Sequence, residues 1–286
     1  MNILQNSETG KFQAFRPNHQ LRQFLQSCNH IDMPLFDTNE LLKCIQSLVQ
    51  IDKDWYPHLD DPAQFYLRMT HISTDPLLGV KSPAQSKIYC ILNPTTLKSR
   101  PLSLKCSDGV NKAWPLGHAQ YTLSGNLGPL VPYIYDAKQN GYDDVLWLLD
   151  DYVQDMTVLN VFFVLKNRYG NLELATPKDN GCILPSNIRN SILSLKDKIR
   201  EDTGMRVNER QVSIHEMMNA YYEGRLIEVI GCSTSSIIQP INRITYRDQR
   251  IRLETDGSSK YTSYLSGLMQ DVMMGPTSHK WITAME

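Results

Sequence analysis

The sequence predicts a two-domain protein of mixed α/β (α+β) class, on three observations. Its 286 residues are 41% hydrophobic, enough to bury two modest cores. Stretches with apolar residues at helical spacing alternate with short β-branched or aromatic runs. A connection rich in Pro, Thr and Ser begins at Asn93. We place a first domain at 1–92, a connection at 93–107 and a larger second domain at 108–286.

Leu21, Phe24, Leu25 and Cys28 share one face of a helix predicted over 18–30, just after Pro17. Asp37-Thr-Asn-Glu40 reads as a capping box, Asp37 capping and Glu40 returning a bond, ahead of Leu41, Leu42, Ile45, Leu48 and Val49. Strands are predicted at 64–72 and 87–92. In the second domain, strands at 144–149 and 158–165 lead to a hairpin turn at Asn167-Arg-Tyr-Gly170 and a return at 172–176. Ser186 can cap a helix carrying Ile188, Ile192, Leu193 and Leu195. Ser213-Ile-His-Glu216 is a second capping box, its helix ending near Gly224. Strands at 226–230 and 237–246 and a helix over about 259–274 complete the reading.

Composition removes several function classes. Twenty-nine basic against 30 acidic residues give a formal charge of -1, so no broad positive field exists for nucleic acid or anionic lipid. No apolar run approaches the ~20 residues of a membrane span. The six cysteines, at 28, 44, 90, 106, 182 and 232, form neither a Cys-x-x-Cys pair nor a zinc spacing, and the histidines show no metal pattern. With no secretory or organellar signature at the amino terminus, we expect a cytoplasmic protein with reduced thiols, no metal, no nucleic-acid partner and no membrane association.

The stretch with most chemistry in it is Lys112-Ala-Trp-Pro-Leu-Gly-His-Ala-Gln-Tyr-Thr122-Leu-Ser-Gly-Asn-Leu-Gly128. It resembles the segment of branched-chain amino acid aminotransferases that carries the lysine bonded to pyridoxal phosphate. There a basic residue, Ala-Trp and Gly precede that lysine by ten residues, and a Gly-Gly-Asn-Tyr-Gly turn follows it. Lys112, Ala113, Trp114, Gly117, Gly125, Asn126 and Gly128 fit. Further segments similar to the family follow in order: Asp75-Pro-Leu-Leu-Gly-Val-Lys81, Gln139-Asn-Gly-Tyr-Asp-Asp-Val-Leu-Trp147, Leu174-Ala-Thr-Pro177, Ile183-Leu-Pro185 with Arg189, Glu209-Arg210, Glu223-Gly-Arg225 and Gly231-Cys-Ser-Thr234.

The resemblance implies the two-domain pyridoxal-phosphate type IV aminotransferase fold, with the small domain incomplete at its start, since family members begin well upstream of Met1. It implies a homodimer in which Leu78-Gly79-Val80 lends apolar contacts to the partner's pocket, and pairing with a full-length relative is a further expectation. It places Tyr66, Arg68, Leu78, Val80 and Ser235 at a substrate pocket. For the cofactor it assigns Asp155 to the pyridine nitrogen, and the Asn187 and Ile188 amides with the Thr234 hydroxyl to the phosphate. The plainer readings are that Ser186 merely caps a helix, Thr234 ends a strand, and Tyr66 packs at a sheet edge with Arg68 in solvent.

The departures fall on the chemistry. Thr122 stands at the Schiff-base lysine and cannot form the imine or shuttle its proton. Leu127 replaces the tyrosine that bonds the phenolic oxygen, Gln23 the phosphate-gripping arginine, and Val158 a threonine. Asp155 keeps the acidic charge on a side chain one methylene short. We therefore expect no catalytic residue, and pyridoxal phosphate at most as a weak non-covalent ligand. The protein then serves as a binding or regulatory dimer partner. The rival is an active enzyme transferring the amino group of leucine, isoleucine or valine to 2-oxoglutarate with an unusual lysine, and a third reading is a remnant with no settled role. Lys112 as a substitute nucleophile is disfavoured, since it sits at the family's basic position, ten residues from Thr122. The paired acids Asp60-Asp61 and Asp150-Asp151 read as turn residues.

Overall fold

The computed structural model describes residues 1–286 other than 7, 58–62, 77, 78, 98, 256–258 and 276–278, and the chain divides into two units, Met1–Lys98 with Leu268–Glu286, and Ser99–Gly267.

The first unit begins with strands β1 (Asn2–Gln5) and β2 (Phe12–Phe15), then helices α1 (Pro17–His30) and α2 (Thr38–Asp52). A hairpin follows, β3 (Ala63–Ser73) with β4 (Ser86–Thr96). Proline starts α1, where its missing N–H costs nothing. Asp37 caps α2 by accepting from the Asn39 and Glu40 amides. The Glu40 carboxylate instead bonds Lys43, 2.7 Å away, so the cap is one-sided. Strand β4 runs on to Thr96, so most of the prolines and threonines expected in the connection lie in an edge strand, where Pro94 is tolerated. Leu21, Ile45 and Val49 pack with Ile3, Ala14, Phe65 and Leu67 in the unit's core.

The second unit contains β5 (Leu102–Cys106), α3 (Ser124–Leu127), α4 (Val131–Gln139), β6 (Asp144–Leu149), β7 (Tyr152–Met156), β8 (Asn160–Lys166) and β9 (Leu172–Thr176). These are followed by α5 (Asn187–Ser194), α6 (Lys196–Thr203), β10 (Arg206–Glu209), α7 (Ile214–Tyr222), β11 (Leu226–Ser233), β12 (Ile237–Tyr246), β13 (Gln249–Arg252) and the first half of α8 (Lys260–Met274), which the unit boundary at Gly267 divides. The strands build one mixed sheet in the order β10-β9-β8-β11-β12-β5-β6-β7, with β13 beside β12. The β6–β7 hairpin turns on Asp150 and Asp151, both at positive φ, as a two-residue turn of this hand requires. Asn167 holds the β8–β9 turn, its Oδ1 accepting from Tyr169 and Asn171. The core is apolar from several strands at once: Leu104, Leu146, Val161, Phe163, Val229 and Ile241, covered by Ile214 and Met217 of α7.

Two boundaries differ from the sequence reading: β5, within the stretch read as a connection, lies inside the second unit's sheet, and the end of the chain returns to the first unit. The last strand, β14 (Ile282–Ala284), pairs with β2, giving the first unit the order β14-β2-β1-β3-β4. Residues 268–286 therefore belong with the first unit rather than the second. A three-residue strand has no periodicity to announce it, and its partner lies at the other end of the chain. Among the described residues no helix is long and apolar enough to cross a membrane.

Candidate functional site

The residues singled out at positions 112–235 lie in the second unit. Glycine 117 shows why the Lys112–Gly128 stretch takes its shape. A Cβ there would meet the Trp114 carbonyl oxygen at 2.9 Å and the indole at 3.1 Å, so only glycine lets the turn close beneath the ring. The Gly117 amide donates to that carbonyl, and Ala113 and Ala119 are buried against Cys182. The Asn126 amide donates to the His118 and Tyr121 carbonyls, tying the following turn back onto the loop. Thr122 is exposed on this frame, and Leu127 and Val158 are also open to solvent.

The best-defined chemical feature is an ion pair. Lys112 Nζ lies 2.7 Å from Asp155 Oδ1 on β7, and donates also to the Met156 carbonyl at 2.8 Å and the Thr157 carbonyl at 3.2 Å. Both side chains are almost wholly enclosed, at 6% and 3% exposure. An ammonium has three hydrogens and no lone pair, and here three acceptors take them. Asp144 secures the same corner: its carboxylate accepts from the Thr157 amide and hydroxyl at 3.2 and 2.5 Å, while the Trp147 indole donates to that hydroxyl. Burial pushes the Asp155 and Asp144 carboxyls up from the usual range, with Lys112 opposing the rise at both. The other Asp155 oxygen faces the Leu184 amide at 3.4 Å.

The residues that the resemblance assigns to the phosphate lie at the start of α5 and just after β11. Ser186 caps α5 by accepting from the Arg189 amide at 3.1 Å, which leaves the first-turn amides of Asn187 and Ile188 without helical acceptors. Asn187 is 1% exposed, and neither its Oδ1 nor its Nδ2 has a hydrogen-bond partner. Thr234 is half-buried, whereas Ser235 is exposed with its hydroxyl 3.1 Å from that of Ser233. The charged motif residues hold structure. Arg189, 2% exposed, binds the Pro177 carbonyl and Glu209, and Arg210 bridges Glu173 and Glu216. With Glu216 engaged in this way, Ser213 caps α7 without a returning bond from it.

The remaining predicted residues lie in the first unit. Tyr66 and Arg68 share one face of β3, between the buried Phe65 and Leu67; burial raises the Tyr66 phenol, with Arg68 working against it. Val80 is fully exposed in a loop fixed by Asp75, which accepts from the Ala84 amide and pairs with Lys81 at 3.1 Å. Leu78, Asp60 and Asp61 lie outside the described residues. Among the described residues no three His, Cys, Asp or Glu side chains are grouped to hold a metal.

Sequence reasoning missed the Lys112–Asp155 pair, because 43 positions separate the partners and neither stands out alone. It also missed Asp144, Thr157 and the orphaned amide of Asn187. Position 122 offers a hydroxyl rather than an amine, and the Lys112 ammonium is enclosed, with its N–H groups on Asp155, Met156 and Thr157.

Comparison with known proteins gives the family. Residues 9–244 match the model of amino-transferase class IV. The cytosolic branched-chain-amino-acid aminotransferase of Ovis aries is 32% identical over 279 residues, covering 95% of this chain and 71% of that protein. The Dictyostelium discoideum enzyme is 31% identical over 280 residues, covering 95% and 73%. Among solved structures, the branched-chain amino acid aminotransferase of Thermobaculum terrenum in its PLP form superposes with a TM-score of 0.75 at 22% identity, covering all of this chain and 87% of that one. The Escherichia coli enzyme gives 0.77 at 17%, covering 100% and 88%. Fold, motif order and relatives agree, and the chain belongs to the class IV aminotransferases, as a branched-chain aminotransferase-like member.

Proposed function

We propose that this chain has no transaminase activity and serves as a binding or regulatory partner in a dimer. One observation carries the reading. Thr122 stands where the resemblance puts the Schiff-base lysine, and the nearest alternative in that stretch, Lys112, spends all three of its N–H groups on Asp155, Met156 and Thr157. To act as a nucleophile Lys112 would have to lose a proton and leave Asp155 buried and unpaired, at a cost of about 3–5 kcal/mol. Pyridoxal phosphate, if offered, rests on first-turn amides of α5 and is held weakly, without a covalent bond. We place the protein in the cytoplasm, the compartment named for its sheep relative.

The test is to incubate the protein with pyridoxal phosphate, reduce with borohydride and map the peptides by mass spectrometry, alongside an assay with leucine and 2-oxoglutarate. The expected result is scattered substoichiometric labelling and no turnover. Stoichiometric pyridoxyllysine at a single site together with turnover would establish the active transaminase instead.

A further inference from the structure

Away from these residues, the first unit contains a second chemical constellation. Cys28, in the last turn of α1, places its Sγ 3.2 Å from Nδ1 of His71 on β3, and the other ring nitrogen of His71 lies 2.8 Å from the Ser86 hydroxyl at the start of β4. Phe24 and Phe36 stand edge-on to the imidazole at 6.3 and 5.9 Å, so one wall is aromatic. Cys28 is 4% exposed, but His71 and Ser86 are half-exposed, which puts the sulfur one side chain below the surface.

The protonation states follow from the surroundings. Burial pushes the Cys28 thiol up to about 11 and the His71 imidazole below its ordinary value, so both are neutral near pH 7. The two contacts suit the tautomer that base assistance requires, in which S–H donates to Nδ1 and Nε2–H donates to the Ser86 oxygen. A nucleophile, a base in reach and a third group orienting the base form the arrangement that activates a weak nucleophile. Burial alone would leave Cys28 inert. The adjacent base supplies what the bulk pH does not.

We propose that Cys28, His71 and Ser86 form a base-assisted thiol site that reacts with hydrogen peroxide. A small uncharged oxidant suits a sulfur this enclosed. As the sulfur attacks one peroxide oxygen, the S–H proton passes to His71 Nδ1 and the O–O bond breaks. The departing hydroxide takes that proton and leaves as water. The sulfur is oxidised to a sulfenic acid and the peroxide is reduced.

Two other thiols serve as internal controls: Cys44 is exposed, and Cys106 has nearly the exposure of Cys28, 5% against 4%, with its thiol pushed up by burial as that of Cys28 is, and further, but no imidazole on its sulfur among the described residues. The reduced full-length protein is pulsed with hydrogen peroxide, sulfenic acid is trapped with dimedone, and each cysteine peptide is quantified. Cys28 is expected to be labelled far faster than Cys106, and His71→Gln to slow Cys28 by roughly a hundred-fold while Cys44 is unchanged. A Cys28 rate equal to that of Cys106, or one that survives His71→Gln, overturns the proposal. Should that variant fail to fold, the wild-type pH profile decides. The Cys28 rate should level off above the imidazole range, where an unassisted thiol keeps climbing with its thiolate fraction. A Cys28 profile parallel to that of Cys44 also overturns it.

Discussion

At the scale of single residues, the Lys112–Asp155 pair dominates the energetics of the corner it occupies. Removing one partner leaves a charge in a site that excludes water. Lys112→Met is therefore expected to destabilise the protein by about 3–5 kcal/mol, whereas Lys112→Met with Asp155→Leu should recover much of that loss. Urea unfolding of both variants measures this, and a single variant as stable as the wild type would contradict the enclosure of the pair. The same reasoning bears on Thr122. Restoring the lysine with Thr122→Lys supplies the amine but leaves Leu127 unable to bond the phenolic oxygen and Gln23 without the charge of an arginine for the phosphate, each loss costing about 1–3 kcal/mol of binding. No leucine transamination above the wild type is expected, and measurable turnover by the single variant would show that the remaining groups suffice. Identity at positions 122 and 127 was legible in the sequence because spacing along one continuous stretch is a local property. The partner of Lys112 was not, since it is fixed by the parallel pairing of β5 with β6 and the β6–β7 hairpin, which bring residues 43 positions apart to 2.7 Å.

At the scale of elements, caps were read correctly from one side only. Ser186 and Ser213 accept from the amides of Arg189 and Glu216, and either Ser→Ala change should cost about 1 kcal/mol in thermal or urea unfolding. The acids expected to complete the boxes bind cations instead, because a lysine or guanidinium within reach offers a charge-assisted bond. Strands β1, β2, β5, β7, β10, β13 and β14 escaped the sequence reading, each being five residues or fewer. A pH effect belongs at this scale too. Burial pushes the Glu173 carboxyl up, but Arg210 and Asn208 outweigh it and hold it below the usual carboxylate range. A depressed acid contributes stability that is present above its unfolded value, near 4.5, and is lost as the pH falls below that value and through the folded one. The thermal midpoint should drop over that acid window, and Glu173→Gln should flatten the acid limb while lowering stability at neutral pH. An unchanged limb would mean that other carboxylates govern acid unfolding.

At the scale of the molecule, the surface carries apolar side chains that a chain working alone has no use for. Val80 in the first unit and Leu116 in the second are fully exposed, and Trp114, Val131, Tyr135 and Val158 are more than half exposed. Holding a valine or leucine in water rather than against a partner forfeits roughly 1.5–3 kcal/mol each. Next to Val80 in sequence, Lys81 pairs with Asp75, which also accepts from the Ala84 amide. A two-fold dimer covers such a loop twice with one set of residues, since the same surface serves both copies. Size exclusion with light scattering is therefore expected to give twice the chain mass at micromolar concentration. Val80→Asp should shift the protein towards monomer, because burying an unpaired carboxylate costs more than the valine contributes. Leu116→Asp tests the second unit independently: a shift with only one of the two variants locates the interface. A monomeric wild type unaffected by either change would remove the dimer, and with it the partner role, while leaving the chemistry of Thr122 and Lys112 as it stands.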